Sequence, residues 1–144
     1  MTTKLEATTR RHLLEAAREA GNNAHEPHSG FPVGAALLTD DGQVVVGCNV
    51  ESASYGLTIC AERVAICSAI ARGFEPPFRA MALWTESTGE RISWPCGACR
   101  QFLAEFLAPD AEVLKAPGGH LHARKVRDLL PEPFTTENLE EAGS

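Results

Sequence analysis

The amino-acid sequence predicts a single α/β domain, one mixed sheet covered by helices. Three observations carry that reading. Segments with helical apolar spacing alternate with short apolar runs bounded by turn-formers. A hairpin signal, Asp40-Asp41-Gly42, joins two of the apolar runs. No repeat, low-complexity stretch or inter-domain linker interrupts the 144 residues, a length that can bury a core without disulfide staples. The domain is assigned to residues 1–134, and residues 135–144 to a polar, partly unordered C-terminal tail.

From about Glu6 to Ala24, Leu13, Leu14, Ala17 and Ala20 recur at helical spacing among charged residues, which predicts an amphipathic helix ended by Gly21-Asn22-Asn23. Glu26–Gly30 is then a loop. Phe31–Leu38 reads as a strand and Gln43–Asn49 as its antiparallel partner across the turn. The polar residues Asn49, Glu51, Ser52 and Ser54 lead to Cys60, where a second helix runs to about Gly73 on Ala61, Val64, Ala65 and Ala69. Pro76-Pro77 breaks the chain, Arg79–Thr85 is a buried strand, and Ser87–Glu90 a surface loop. A third helix is expected to take Pro95 as its first residue and to be stopped by Pro109. Ala111–Ala116 follows as a strand, His120–Ala123 as an edge strand after Pro117-Gly118-Gly119, and Val126–Leu130 as a short helix.

Apolar residues make up 44% and charged residues 22%, a globular composition that excludes wholesale disorder. The formal charge of -6, from 13 basic and 19 acidic residues, supplies no positive field for a polynucleotide and suits a small, weakly charged substrate. No stretch approaches the ~18 continuous apolar residues of a membrane span, and the N-terminus turns charged at once, so a cytoplasmic, unanchored protein is expected.

Five cysteines form an odd set, two of them in a C-x-x-C spacing, which favours metal or redox use over a disulfide framework. Cys96 and Cys99 fall on the first turn of the third predicted helix and project to one side, and Cys60 at the start of the second can complete a three-sulfur set. Partial positive charge at helix N-termini favours thiolates there. Three thiolates leave a zinc ion's fourth tetrahedral position open to water, as in a catalytic site. The formal charge of such a cluster is about -1, and Arg63 is placed to donate hydrogen bonds that offset it. Glu62, two residues beyond Cys60, can reach the open position without being a ligand and move protons there.

Taken alone, Cys96 and Cys99 would read as a structural zinc knuckle or a redox dithiol. The upstream Cys60-Ala61-Glu62 and the preceding Pro95 turn that reading toward catalytic zinc. Cys48 and Cys67 are expected to be inert core thiols, with Cys48 the candidate for a fourth structural ligand. His12, His25, His28, His120 and His122 stand in no ligand spacing and read as solvated or locally bonded; Arg100 and Gln101 are expected to pack beneath the metal helix. Asn49 and Glu51, two apart at a strand end, point the same way and can grip a sugar hydroxyl, or else cap the loop.

From about Pro27 to Phe134 the chain resembles cytidine deaminases of the short, homotetrameric type. The likeness rests on Phe31-Pro32-Val33-Gly34-Ala35-Ala36, Gly47-Cys48-Asn49-Val50-Glu51, Ala53-Ser54-Tyr55-Gly56-Leu57, Ile59-Cys60-Ala61-Glu62-Arg63, Pro95-Cys96-Gly97-Ala98-Cys99-Arg100-Gln101 and Leu129-Leu130-Pro131. The resemblance implies a three-layer α-β-α fold with a mixed five-stranded sheet. It implies zinc held by Cys60, Cys96 and Cys99 and proton transfer by Glu62. It further implies substrate contacts from Phe31, Asn49, Glu51 and Ala61, and from Phe134 reaching a neighbouring subunit's active site in a homotetramer. The implied reaction is hydrolytic deamination of cytidine and 2′-deoxycytidine, a step of pyrimidine salvage, with no nucleic-acid or membrane partner.

Three positions depart from the family pattern. Trp94 stands where a small residue is usual, at the position whose carbonyl is expected to receive the leaving amine; His28 stands for Tyr and Ser52 for Asn. Two alternatives are a deaminase of a related aminopyrimidine such as blasticidin S, from which Arg63 and the Asn49/Glu51 pair set the chain apart, and a non-catalytic zinc-stabilised interaction module, for which Glu62 would have no use.

Overall fold

A computed structural model describes residues 4–86 and 92–143. Helix α1 (Ala7–Gly21) precedes the hairpin of β1 (Val33–Leu38) and β2 (Val44–Cys48). Helix α2 (Ala61–Ala71), β3 (Phe78–Thr85), α3 (Gly97–Phe106) and β4 (Leu107–Lys115) then alternate. Strand β5 (His122–Lys125), α4 (Val126–Leu129) and α5 (Thr136–Gly143) close the chain. The five strands form one sheet in the order β2-β1-β3-β4-β5. Only β3 and β4 run parallel; β1 pairs antiparallel with both its neighbours, and β5 antiparallel with β4. The expected mixed five-stranded α/β fold is the one observed.

Two-residue alternation decides which helix each strand residue meets. Ala35 and Leu37 of β1, Met81 and Leu83 of β3, and Val113 of β4 join Ala65, Ile66 and Leu103 in one buried cluster against α2, α3 and α4. Their strand neighbours Ala36, Leu38, Ala80, Ala82 and Leu114 meet Leu13 and Ala17 of α1 on the opposite face. The central strands are thus buried on both faces, and helix, sheet and helix form three layers.

Small residues set how closely the layers approach. A methyl group at Gly47 of β2 would stand 2.6 Å from the carbonyl oxygen of Ala61 and 2.5 Å from the amide nitrogen of Ala65, both backbone atoms of α2. The first turn of α2 is therefore pressed directly on the sheet. Gly47→Ala is expected to destabilise the protein by about 2 kcal/mol through overpacking, lowering Tm by roughly 5 °C for a chain of this size. Calorimetry checks this.

Several boundaries differ from the expected ones. Pro95 lies outside α3, because Cys96 has extended φ/ψ (-63°, 168°) and is the N-cap, so helical geometry starts at Gly97. Pro109 does not stop α3, which ends at Phe106; it lies within β4. There the pairing with β3 jumps from Phe78↔Leu107 to Ala80↔Glu112. The irregular stretch needs no ladder hydrogen from a proline. The edge strand is displaced to His122–Lys125, and the tail carries α5. The expected loop at Ser87–Glu90 lies outside the described residues.

Candidate active site

The site lies where two helices begin and the two parallel strands end. Cys60 is the N-cap of α2 and Cys96 the N-cap of α3, with Cys99 in the first turn of α3. Backbone amides without helical partners cluster at such ends and favour negative charge. The sulfurs of Cys60, Cys96 and Cys99 all lie within 4.8 Å of one another. Bonds of about 2.3 Å to one tetrahedral zinc would require sulfurs about 3.8 Å apart, so the donor set fits that ion after small rotations. Cys99 is buried, Cys60 half-buried and Cys96 exposed, which leaves the cluster open on one side. No fourth cysteine joins it among the described residues. Cys48 instead lies against the carbonyl oxygen of Asn23, at 3.5 Å, and Cys67, expected in the core, is exposed because it falls on the solvent side of α2.

Charge is distributed unevenly over this cluster. Hydrogen bonding from the Cys99 thiol, helped by Arg63, outweighs burial and holds Cys60 at about 5. The same hydrogen bond, together with burial, pushes the Cys99 thiol far above its ordinary range. Arg63 Nη2 donates to Cys60 Sγ at 3.7 Å and to the carbonyl oxygen of Thr58 at 3.4 Å. A cationic donor therefore stands beside the Cys60 sulfur. Glu62 is 5% exposed, and burial pushes its carboxyl upward, aided by the neighbouring Cys60 thiolate.

These groups open into a cavity of about 260 Å³ lined by Phe31, Asn49, Cys60, Ala61, Glu62 and Cys96, together with Thr85, Ser93, Trp94 and Lys115. Glu51 does not share that lining. It lies in an adjoining pocket with His28, Ser29 and Tyr55, and Thr58 borders both. The Asn49 amide fastens the entry to β1: its Oδ1 accepts from Val33 N and its Nδ2 donates to Phe31 O, each at 2.9 Å. The Glu51 carboxylate accepts from the backbone amides of His28 and Ser29 at 3.0 Å and from the Ser29 hydroxyl. Those bonds, the hydroxyl's foremost, lower its pKa. The pair expected to grip a sugar thus also shapes the loop walls, and the two residues face adjacent compartments.

Trp94 packs against the core cluster with the Arg124 guanidinium 5.2 Å from its ring centre, so the bulky side chain is accommodated within the fold while still bordering the cavity. Arg100 Nε donates to Pro95 O at 2.7 Å and its Nη1 to Leu129 O at 3.1 Å. Gln101 holds the main chain of Phe134 from both sides, donating to its carbonyl at 2.6 Å and accepting from its amide at 3.3 Å. Phe134 lies outside the cavity lining and is 56% exposed.

Lys115 is the residue that sequence reasoning missed. It is 3% exposed at the end of β4 and is the one cation among the described residues lining the cavity. The signal that could have found it is period two, which puts it on the same face as Ala111 and Val113.

Residues 7–114 match the family described as "Cytidine and deoxycytidylate deaminase zinc-binding region", a span that holds all three clustered cysteines and Glu62. The chain belongs to this deaminase family. A cytidine deaminase of Sporosarcina psychrophila is 41% identical over 128 residues, 88% of this chain and 92% of that protein. The crystal structure of a cytidine deaminase from Burkholderia pseudomallei superposes with a TM-score of 0.79 at 46% identity, covering 86% of this chain and 98% of that one. More distantly, a blasticidin-S deaminase of Bacillus cereus is 30% identical over 128 residues, 85% of this chain and 90% of that protein. The deaminase family's zinc-binding region and the three-sulfur cluster identify zinc as the metal of the site.

Proposed function

We propose that the protein hydrolyses cytidine and 2′-deoxycytidine to uridine and 2′-deoxyuridine with release of ammonia, as a cytoplasmic enzyme of pyrimidine salvage. The observation that carries this reading is the buried Glu62 carboxyl bordering the same cavity as an open three-sulfur cluster. Cys60, Cys96 and Cys99 would hold zinc, which when bound lowers the pKa of water and acts as a Lewis acid. Glu62 accepts a proton from the attacking water and returns protons to N3 and to the departing amine of the substrate. Oxygen bonds to C4 as the carbon–nitrogen bond breaks, so water is consumed and ammonia released. Phe31 and Ala61 line the space for the pyrimidine, Asn49 and Glu51 bind the ribose from the two adjoining compartments, and Arg63 helps hold Cys60 in its thiolate form.

Incubating the zinc-loaded protein with cytidine, deoxycytidine, cytosine, CMP and blasticidin S, with ammonia release measured, tests the proposal. Turnover of the two nucleosides is expected. One zinc per chain without turnover of any substrate would overturn the enzyme reading in favour of a zinc-stabilised interaction module, and turnover of blasticidin S alone would move it to that substrate.

We further propose a homotetramer in which Phe134 completes a neighbour's site, with residues 1–134 as the catalytic unit. Its exposed ring, mounted on Gln101, supports this reading. Phe134→Ala is expected to raise KM for cytidine about tenfold, on the order of the loss of one aromatic contact, with zinc content unchanged. Steady-state kinetics and metal analysis measure both.

A further inference from the structure

Strands β3 and β4 are the parallel pair, and in such sheets ligands gather at the carboxyl ends of the strands. Thr85 ends β3 and Lys115 ends β4. Thr85 lies two residues beyond Leu83, and Lys115 two beyond Val113, so both face the layer of α2 and α3. The Lys115 ammonium donates to the carbonyl oxygen of Ser93 at 2.7 Å, to the Ser93 hydroxyl at 3.0 Å and to the Thr85 hydroxyl at 3.4 Å. Its three donors are matched by three acceptors. Burying a lysine is costly unless the charge is hydrogen-bonded and countered, and burial here works against protonation while the Glu62 carboxylate favours it.

The latched residue is not incidental. Ser93 is followed by Trp94, Pro95 and the ligand Cys96, all of which border the cavity. At the other end of this short segment Arg100 holds Pro95 O. The carbonyls on either side of Trp94 are therefore each fixed by a cation, one from β4 and one from α3. Between them the Trp94 carbonyl and the Cys96 backbone have little freedom to shift.

We infer that Lys115 is a positioning residue of the active site: its ammonium latches Ser93 to the ends of the parallel strands and so fixes the Trp94 carbonyl and the Cys96 ligand. The inference rests on the deaminase reading for its effect on turnover, while its effect on the metal is independent of that reading. Loss of the latch leaves the Cys96 arm free to swing, which speeds metal release, and displaces groups around the reacting carbon, which lowers kcat more than it raises KM.

The test compares zinc-loaded Lys115→Met and Lys115→Arg with the parent protein in three measurements: zinc release to a chromogenic chelator, the thiolate-to-metal absorption of the cobalt-substituted protein, and kcat and KM for cytidine. Lys115→Met is expected to release zinc at least about fivefold faster, to alter the cobalt band, and to lose about tenfold to a hundredfold in kcat, the scale of a misplacement near 1 Å. Lys115→Arg, which keeps charged donors, is expected to recover part of each. Should Lys115→Met fail to fold by circular dichroism, Lys115→Gln, which keeps a donor at shorter reach, carries the same comparison. Release rate, cobalt spectrum and kcat all within twofold of the parent would overturn the inference. If the parent turns over no nucleoside, the deaminase reading fails, and the release rate and cobalt spectrum still decide the role of Lys115.

Discussion

Glu62→Gln is expected to lower kcat for cytidine by about 10³-fold, within the span assigned to a positioned acid-base group, while leaving zinc at one per chain and the fold intact. The expectation follows from where the carboxyl stands. It sits in the first turn of α2, buried, bordering the sulfur cavity, and none of the three sulfurs can deliver a proton to a substrate nitrogen while serving as a metal ligand. Stability should move the other way or not at all. A carboxyl pushed upward by burial opposes the folded state at neutral pH, so the neutral amide should give a Tm equal to or above that of the parent. Loss of turnover together with loss of Tm or zinc would instead mean that Glu62 holds the fold together.

Cys99→Ala is the second large effect. Cys99 is the buried member of the cluster and packs in the first turn of α3, so its loss removes a metal ligand and opens a small void. Zinc content is expected to fall below about 0.1 per chain under dialysis, and activity with it, because two thiolates make a poor site. The thermal signature is more diagnostic than the activity. Free zinc at about a thousand times its Kd contributes about 4 kcal/mol to the native state, equivalent to roughly 10 °C in a chain of this size. Chelator should lower the Tm of the parent by that order and leave Cys99→Ala nearly unmoved. Equal chelator sensitivity in both proteins would remove Cys99 from the ligand set.

That Cys60, Glu62, Cys96 and Cys99 come together was legible in the sequence because each residue type has few uses at such spacing, although α3 begins at Gly97 and not at Pro95. The mixed five-stranded sheet was legible through family resemblance more than through the residues themselves, and its strand order comes from the structure. What stayed hidden has long-range causes. Period two puts Lys115 on the core face, but at a strand end a lone lysine reads as solvated; the parallel pairing of β3 with β4 and the return of Ser93 across them bury it. Pro109 looked like a helix stop because nothing local announces the irregular β3–β4 register that accepts it. Asn49 and Glu51 share a strand end in sequence, yet the Asn49 amide is turned to the backbone of Phe31 and Val33 and the Glu51 carboxylate to the His28–Ser29 turn, so they reach separate compartments.

The two faces of the sheet carry unequal burdens. Every side chain that lines the cysteine cavity comes from the face of α2 and α3, from the strand ends, or from the segments leading into β1, α2 and α3. The face covered by α1 is packed by Leu13, Ala17, Ala36, Leu38, Ala82 and Leu114 and tied by the Arg10–Glu112 ion pair, and none of these residues lines the cavity. Apolar exchanges beneath α1 are therefore expected to move Tm more than kcat, because the thickness of the sheet stands between them and the cavity.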